Sequence, residues 1–293
     1  MPAIRGARPI RNSNIIDFHD TIDKDNLEAP TLDKYAEIWK QWLNFSNNKS
    51  IIGLDDFTHA DYTQGTSQSF DNFILRHSHD RQILVLSGDF QYHACMGKHV
   101  DFAYVKDFRD MESVIRGPGL HALLISVPFS DLGVMHPQFD QLMQVCDVHD
   151  IPVCVDLAYW GISKNVYINL YKFPAIKEVT CSLSKPFCTL ENHRVGIRFT
   201  RDYVDDGISM LNEVKMQNNF SMALGVEYMK NFSPDYNWET FGEAYQKVCN
   251  EHSLQQTDTV IFGTGGEEFK EFNRGIEGNN RVCVSDWLVT DKS

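Results

Sequence analysis

The chain has 293 residues, 42% of them hydrophobic and 23% charged, with a formal charge of −13 from 27 basic and 40 acidic side chains. That apolar fraction is ample for a packed core and excludes a disordered protein, while the length suits one large α/β domain with a smaller companion. The acidity argues against nucleic acid or an anionic membrane surface as partner, but leaves open a local anion site built from two or three cations.

Residues 1–30 are polar and read as an extended arm; Arg5, Arg8 and Arg11 are mixed with acids and no apolar stretch comes after them, which speaks against a signal peptide. Thr31 to Phe45 reads as a helix, with Leu32, Tyr35, Ile38, Trp39, Trp42 and Leu43 at helical spacing behind a Thr N-cap. Residues 1–50 are therefore taken as arm and helix. Short continuous apolar runs come next at Ile83–Leu86, His121–Ile125 and Pro152–Val155, as expected of strands buried on both faces, and Gln138 to His149 is helical between the last two. This rhythm predicts an α/β fold with a mostly parallel, doubly wound sheet over residues 51–205. A long helical pattern from Asp206 to Phe232 leads into a reduced small α/β domain, so that residues 206–293 hold the connecting helix, a further helix and strands at Thr259–Phe262 and Arg281–Ser285. Gly263-Thr264-Gly265-Gly266 lacks a following Gly-Lys-Ser/Thr and reads as a turn between strand and helix. No run reaches the roughly 18 apolar residues of a membrane span. The seven cysteines are scattered without a Cys-x-x-Cys pair, which points to a reducing, cytoplasmic setting, and neither His77/His79 nor His93/His99 has metal-ligand spacing around it.

Four segments fall at or near predicted strand ends, the rim where open α/β sheets bind ligands. Gly65-Thr66-Ser67 opens a helical pattern and offers backbone N–H groups and hydroxyls to an anion, although a plainly capped helix looks the same. Phe90 and Tyr92 lie just past the run Ile83–Leu86, where they would either stack on a flat ring or fill the core. Asp156 ends an apolar strand and is costly to bury without a cation, unless it merely caps the next helix; Tyr159 lies close behind it. Lys185, in Ser182-Leu183-Ser184-Lys185, is flanked by hydroxyls and apolar groups, a setting in which desolvation yields a nucleophilic amine, and Arg194-Val195-Gly196 comes soon after.

In that order, the Asp-x-Ala-Tyr, Ser-x-Ser-Lys and Arg-Val-Gly motifs make the stretch Phe57 to Phe199 resemble the fold-type-I pyridoxal-phosphate enzymes, specifically the class I/II aminotransferase family. The resemblance implies pyridoxal 5'-phosphate as cofactor. Lys185 would form a Schiff base with its aldehyde and later move a proton at the substrate Cα. Asp156 would keep the pyridine nitrogen protonated and Tyr159 would bond the 3′ oxygen. Phe90 would stack on the ring, with His93 behind Asp156. Gly65, Thr66, Ser67, Ser182, Ser184 and Arg194 would hold the cofactor, Arg194 gripping the phosphate. Arg281 would take the substrate's α-carboxylate. Ser130 stands where the family has an Asn beside the Tyr, and the chain is shorter than typical members. The implied activity is amino-group transfer from an amino acid to a 2-oxo acid by a homodimer with active sites at the subunit interface. A β-lyase, decarboxylase or oxidase reaction, or a non-catalytic ligand-binding protein, are the alternatives.

Overall fold

Strict alternation along the apolar runs decides the architecture. Ile83, Val85, Ala122, Leu124 and Cys154 face one layer with Phe70, Phe73 and Ile74, whereas Leu84, Leu86, Leu123, Ile125, Val153 and Val155 face the other. Strands with both faces apolar must be covered twice, so the sheet sits between helical layers. A computed structural model describes residues 6–90 and 92–289 and shows this arrangement. Residues 1–5 of the expected arm, Gln91, and residues 290–293 of the expected small domain lie outside the described residues.

The central sheet has seven strands, in the spatial order His59–Thr63, Gly196–Thr200, Ile176–Ser182, Val153–Asp156, Leu120–Ser126, Arg81–Leu86 and Phe102–Val105. Gly196–Thr200 is antiparallel to both its neighbours and the other pairings are parallel. The helix Leu32–Asn44 begins at Thr31, whose hydroxyl accepts from the Lys34 N–H, and buries Tyr35, Trp39, Trp42 and Leu43 as its spacing predicts. The helix Phe139–Val148 likewise buries Phe139, Leu142, Met143 and Cys146.

Three expectations change. The polar arm is not extended throughout: Ser13–Thr21 is a helix capped by the Asn12 side chain, and Ile10 and Ile15 are buried. Sparse apolar residues hid this helix, because only one of its residues is fully buried. The long pattern from Asp206 to Phe232 is two helices, Gly207–Glu213 and Asn219–Asn231. Lys215 adopts a left-handed φ of 58° and ends the first, and the Asn218 side chain caps the second by accepting from the Ser221 N–H. Apolar spacing continues across the break and so cannot reveal it. Gly263-Thr264-Gly265 is strand rather than turn, within Phe262–Gly265. It pairs antiparallel with Gln255–Gln256 and Asn280–Cys283, under the helix Tyr236–Glu251.

The core of this second, three-stranded sheet is shared with the rest of the chain. Phe241, Tyr245, Ile261, Phe262 and Val282 pack with Ile10 from the N-terminal stretch and with Tyr159 and Ile162 from beyond the strand Val153–Asp156. Below it, Lys49 is fully buried and donates to Asp235 at 2.5 Å and to the carbonyls of Ser163 and Pro234. All seven cysteines are free, Cys95 alone being exposed. Among the described residues no helix is long and apolar enough to cross a membrane.

Candidate active site

Parallel strands deliver their C-terminal ends to one rim of the sheet, and the site is assembled there. Asp156 is the last residue of its strand, Ser126 the last of the neighbouring one, and these two are register partners. Lys185 lies just past Ile176–Ser182, and Gly65 just past His59–Thr63. Arg194 reaches the same rim from before Gly196–Thr200, since that strand runs the other way. The Arg-Val-Gly motif thus has a packing reason. A Cβ on Gly196 would lie 2.8 Å from the Gly65 Cα, so only glycine lets the strand pass beneath the loop.

A narrow cavity of about 80 Å³ opens among Thr66, Ser67, Phe90, Ser126, Ser130, Asp156, Ala158, Tyr159, Ser184, Lys185 and Arg194. Nine residues singled out from sequence therefore line one space. Gly65 forms its edge: it has a φ of 77°, and a Cβ there would lie 2.9 Å from Arg194 Nη2. The helix Thr66–His77 has no side-chain cap at Gly65, which leaves first-turn N–H groups beside an exposed Arg194 guanidinium. A helix N-terminus with an adjoining guanidinium is suited to an anion. Ser182 sits beneath, its hydroxyl 3.0 Å from that of Ser184 and accepting from the Ser184 N–H.

Asp156 is buried, and one oxygen accepts from the Ala158 N–H at 2.8 Å, so it does hold the local turn. Burial pushes its carboxyl up to about 8, and the nearby Asp89 adds to the shift. Lys185 and the Thr66 hydroxyl oppose that shift without cancelling it. The pocket thus contains a carboxyl that lacks a strong cationic partner. Tyr159 is buried with its ring edge-on to Phe262 at 5.3 Å, and its hydroxyl has no hydrogen-bond partner among the described residues. Lys185 Nζ donates to the Ala7 carbonyl at 2.9 Å, so the N-terminal stretch lies across the amine.

Three of the residues singled out, His93, Arg281 and Tyr92, stand away from the cavity. His93 is packed edge-on against Phe70 and Phe90, and burial alone lowers its imidazole to about 4, so it is neutral. Arg281 is fully buried behind Ser130: its Nη1 donates to the Ser130 carbonyl, and its guanidinium lies 3.9 Å from the Phe262 ring centre. Tyr92 does not enter the cavity but stacks on Phe90 at 5.8 Å. Arg198, near the Arg-Val-Gly motif, points away and joins Asp61 and Asp206 in a buried ion network.

Sequence reasoning missed Ser126 and Asp89. Asp89 is fully buried and accepts from Ser126 Oγ, from the Ser126 N–H at 2.9 Å and from the Phe90 N–H at 2.7 Å. Ser126 Oγ in turn accepts from the Ser130 N–H. Burial outweighs these donors and raises the Asp89 carboxyl to about 6. An acid directly after Ser87-Gly88, at the end of an apolar strand, was the available signal.

No protein-family model matches the chain, and no curated protein matches it in sequence. Its fold is nonetheless shared with many solved structures. Against the PLP-bound C-S lyase from Staphylococcus hominis the TM-score is 0.71 at 12% identity, covering 96% of this chain and 86% of that one. The aromatic aminotransferase from Pyrococcus horikoshii OT3 gives 0.68 at 15%, covering 96% and 90%. The alanine aminotransferase from Pyrococcus furiosus gives 0.67 at 14%, covering 95% and 84%. The fold is that of the fold-type-I pyridoxal-phosphate enzymes, an α/β architecture around a mostly parallel mixed sheet.

Proposed function

We propose that this chain is a pyridoxal-phosphate enzyme that transfers an amino group between an amino acid and a 2-oxo acid. The observation that carries the reading is the convergence in one cavity of the Lys185 amine, the buried Asp156 carboxyl and an anion cup made by the Gly65 turn and Arg194. The residues fit the cofactor on chemical grounds. A buried carboxyl held near 8 calls for a cation, and a pyridinium nitrogen is one. The helix N-terminus and Arg194 suit a phosphate monoester, and Phe90 offers a ring face. When bound, pyridoxal phosphate supplies an electron sink that acidifies the substrate's Cα–H. Asp156 would hold the ring nitrogen protonated, Tyr159 would donate to the 3′ oxygen, and Arg194 with Thr66 and Ser67 would fix the phosphate. Lys185 would anchor the cofactor and move a proton at Cα, which requires its Nζ to give up the Ala7 carbonyl. Arg281 is the residue proposed for the α-carboxylate, which requires it to be uncovered from behind Ser130, with Ser130 replacing the family's Asn beside Tyr159.

A β-elimination is the second reading, because the structures with this fold include a C-S lyase as well as aminotransferases. We also propose a homodimer. Met210, Val214, Met216 and Phe220 expose apolar side chains within residues 210–220, a face that a second copy would cover. Borohydride treatment of protein loaded with pyridoxal phosphate is the test of the cofactor reading. Mass spectrometry should find the reduced cofactor on Lys185, and Lys185→Ala should carry none; equal labelling of both proteins overturns the assignment. Conversion of the loaded cofactor to its pyridoxamine form by an amino acid supports transfer. Release of pyruvate, ammonia and thiol from a cysteine conjugate supports elimination instead.

A further inference from the structure

Beside the candidate site, and sharing Phe90 with it, lies a second cavity of about 320 Å³ lined by Ser87, Gly88, Asp89, Phe90, Tyr104, Arg274 and Gly275. Its one cationic lining residue, Arg274, is half-buried and makes no hydrogen bond or salt bridge among the described residues. Its electrostatic neighbours are Arg281, Tyr159, Asp131 and Cys283, of which Tyr159 lines the first cavity. Burial first and the neighbouring Arg281 second lower its proton affinity, and Tyr159, Asp131 and Cys283 only partly offset them.

The loop that carries Arg274 is built rather than loose. Asn273 bridges Asn280, and its side chain donates to the carbonyls of Ile276 and Asn279 while accepting from the Gly275 N–H. The Asn279 side chain ties the loop to the Asp131 carbonyl at 2.8 Å. Ile276 fills the space that a side chain at Gly88 would need, since a Cβ there would lie 2.7 Å from it. An arginine held on so well-bonded a loop loses little further entropy when it takes up a ligand. The acids nearby do not satisfy it. Asp89 is committed to Ser126 and the Phe90 N–H, and Asp131, which acts on Arg274 electrostatically, forms no salt bridge with it among the described residues.

We propose that Arg274 receives an anionic group on the substrate's side chain, so that the amino acid this site accepts ends in a carboxylate or a phosphate monoester. The inference rests on the amino-acid reading of the adjoining cavity. Arg274 would hold the distal anion in its own cavity while the reacting end of the amino acid lies in the adjoining one.

The test has a binding arm, run with and without pyridoxal phosphate, and a turnover arm on protein loaded with it. Calorimetry with succinate, which carries two carboxylates and no amine, should show binding that weakens on the order of 100-fold in Arg274→Gln and recovers partly in Arg274→Lys. Butyrate, with one carboxylate, should bind both proteins alike. In turnover, kcat/KM for L-aspartate and L-glutamate, or for O-phospho-L-serine, should fall in Arg274→Gln by a similar factor while that for L-alanine holds. Preference for aspartate or for phosphoserine identifies which anion is meant. Equal use of asparagine and aspartate by the natural chain, or an Arg274→Gln variant that binds succinate unchanged, overturns the proposal while the cofactor reading stands. Succinate binding that depends on Arg274 in a chain that never takes cofactor would instead sink the enzyme reading and keep the anion site.

Discussion

Replacing Asp156 by Asn should make the cofactor-free protein more stable in mildly alkaline solution. In the folded chain this carboxyl keeps its proton up to about 8, against an ordinary 3.8. The unfolded chain therefore releases the proton first, and folding stability falls as pH rises between those values, by about 1.4 kcal/mol per unit at the steepest. Above the folded value the penalty is constant, and below the unfolded value it vanishes. Asp89 behaves in the same way but finishes near 6. His77 and His93, both lowered to about 4, act oppositely and are spent by about 6.5. The window from about 6.5 to 8 lies past these three groups; across it Asp156 should by itself take about 2 kcal/mol from the natural chain, a share isolated by comparison with the Asp156→Asn protein. Asparagine keeps the shape and the acceptor for the Ala158 N–H, so the Asp156→Asn protein should show no such loss. Urea unfolding at pH 6.5 and 8, without cofactor, measures both. Parallel pH dependence in the two proteins would refute the reasoning, because the carboxyl would then not be buried without a strong partner. With pyridoxal phosphate added the order should reverse, since the ring nitrogen then wants the carboxylate that the variant lacks.

Gly65→Ala should weaken binding of pyridoxal phosphate by about tenfold or more, because the left-handed φ and the Arg194 guanidinium both oppose a Cβ; fluorescence titration of the cofactor reads it. Asp235→Ala should cost about 3–5 kcal/mol in urea unfolding by stranding the buried Lys49 charge, whereas Lys49→Met with Asp235→Leu should recover much of that loss. Met216→Glu should shift the protein toward monomer in sedimentation velocity if the face at residues 210–220 is the dimer contact, while an unchanged sedimentation coefficient would move the contact elsewhere.

Much of the site was legible because its chemistry is carried by strand ends. A continuous apolar run ending in Asp156, and another leading to Ser182 and Lys185, fix which residues stand on the rim once the sheet is parallel. Period and length also located the helices Leu32–Asn44 and Phe139–Val148 to within a residue of their caps. The helix Ser13–Thr21 was not legible, since its stability comes from packing against residues far along the chain: the His19 ring meets the Tyr228 hydroxyl at 2.9 Å, and Asn12 donates to the Tyr236 hydroxyl. Asp89 was hidden for a related reason, because nothing near it in sequence shows that Ser126 will supply its donors.

The sequence by itself determined the order of apolar and polar residues, and with it the doubly wound sheet, the rim, and the residue types that meet there. It could not determine what each of those groups would cost to ionise or whom it would face. Those properties depend on desolvation and on neighbours brought from distant segments. Only the tertiary structure decided that Asp156 and Asp89 hold their protons past the usual range, that Arg281 stands behind Ser130, and that Lys185 rests on Ala7. It also set Arg274 beside Arg281, a juxtaposition made by a loop folded across Gly88.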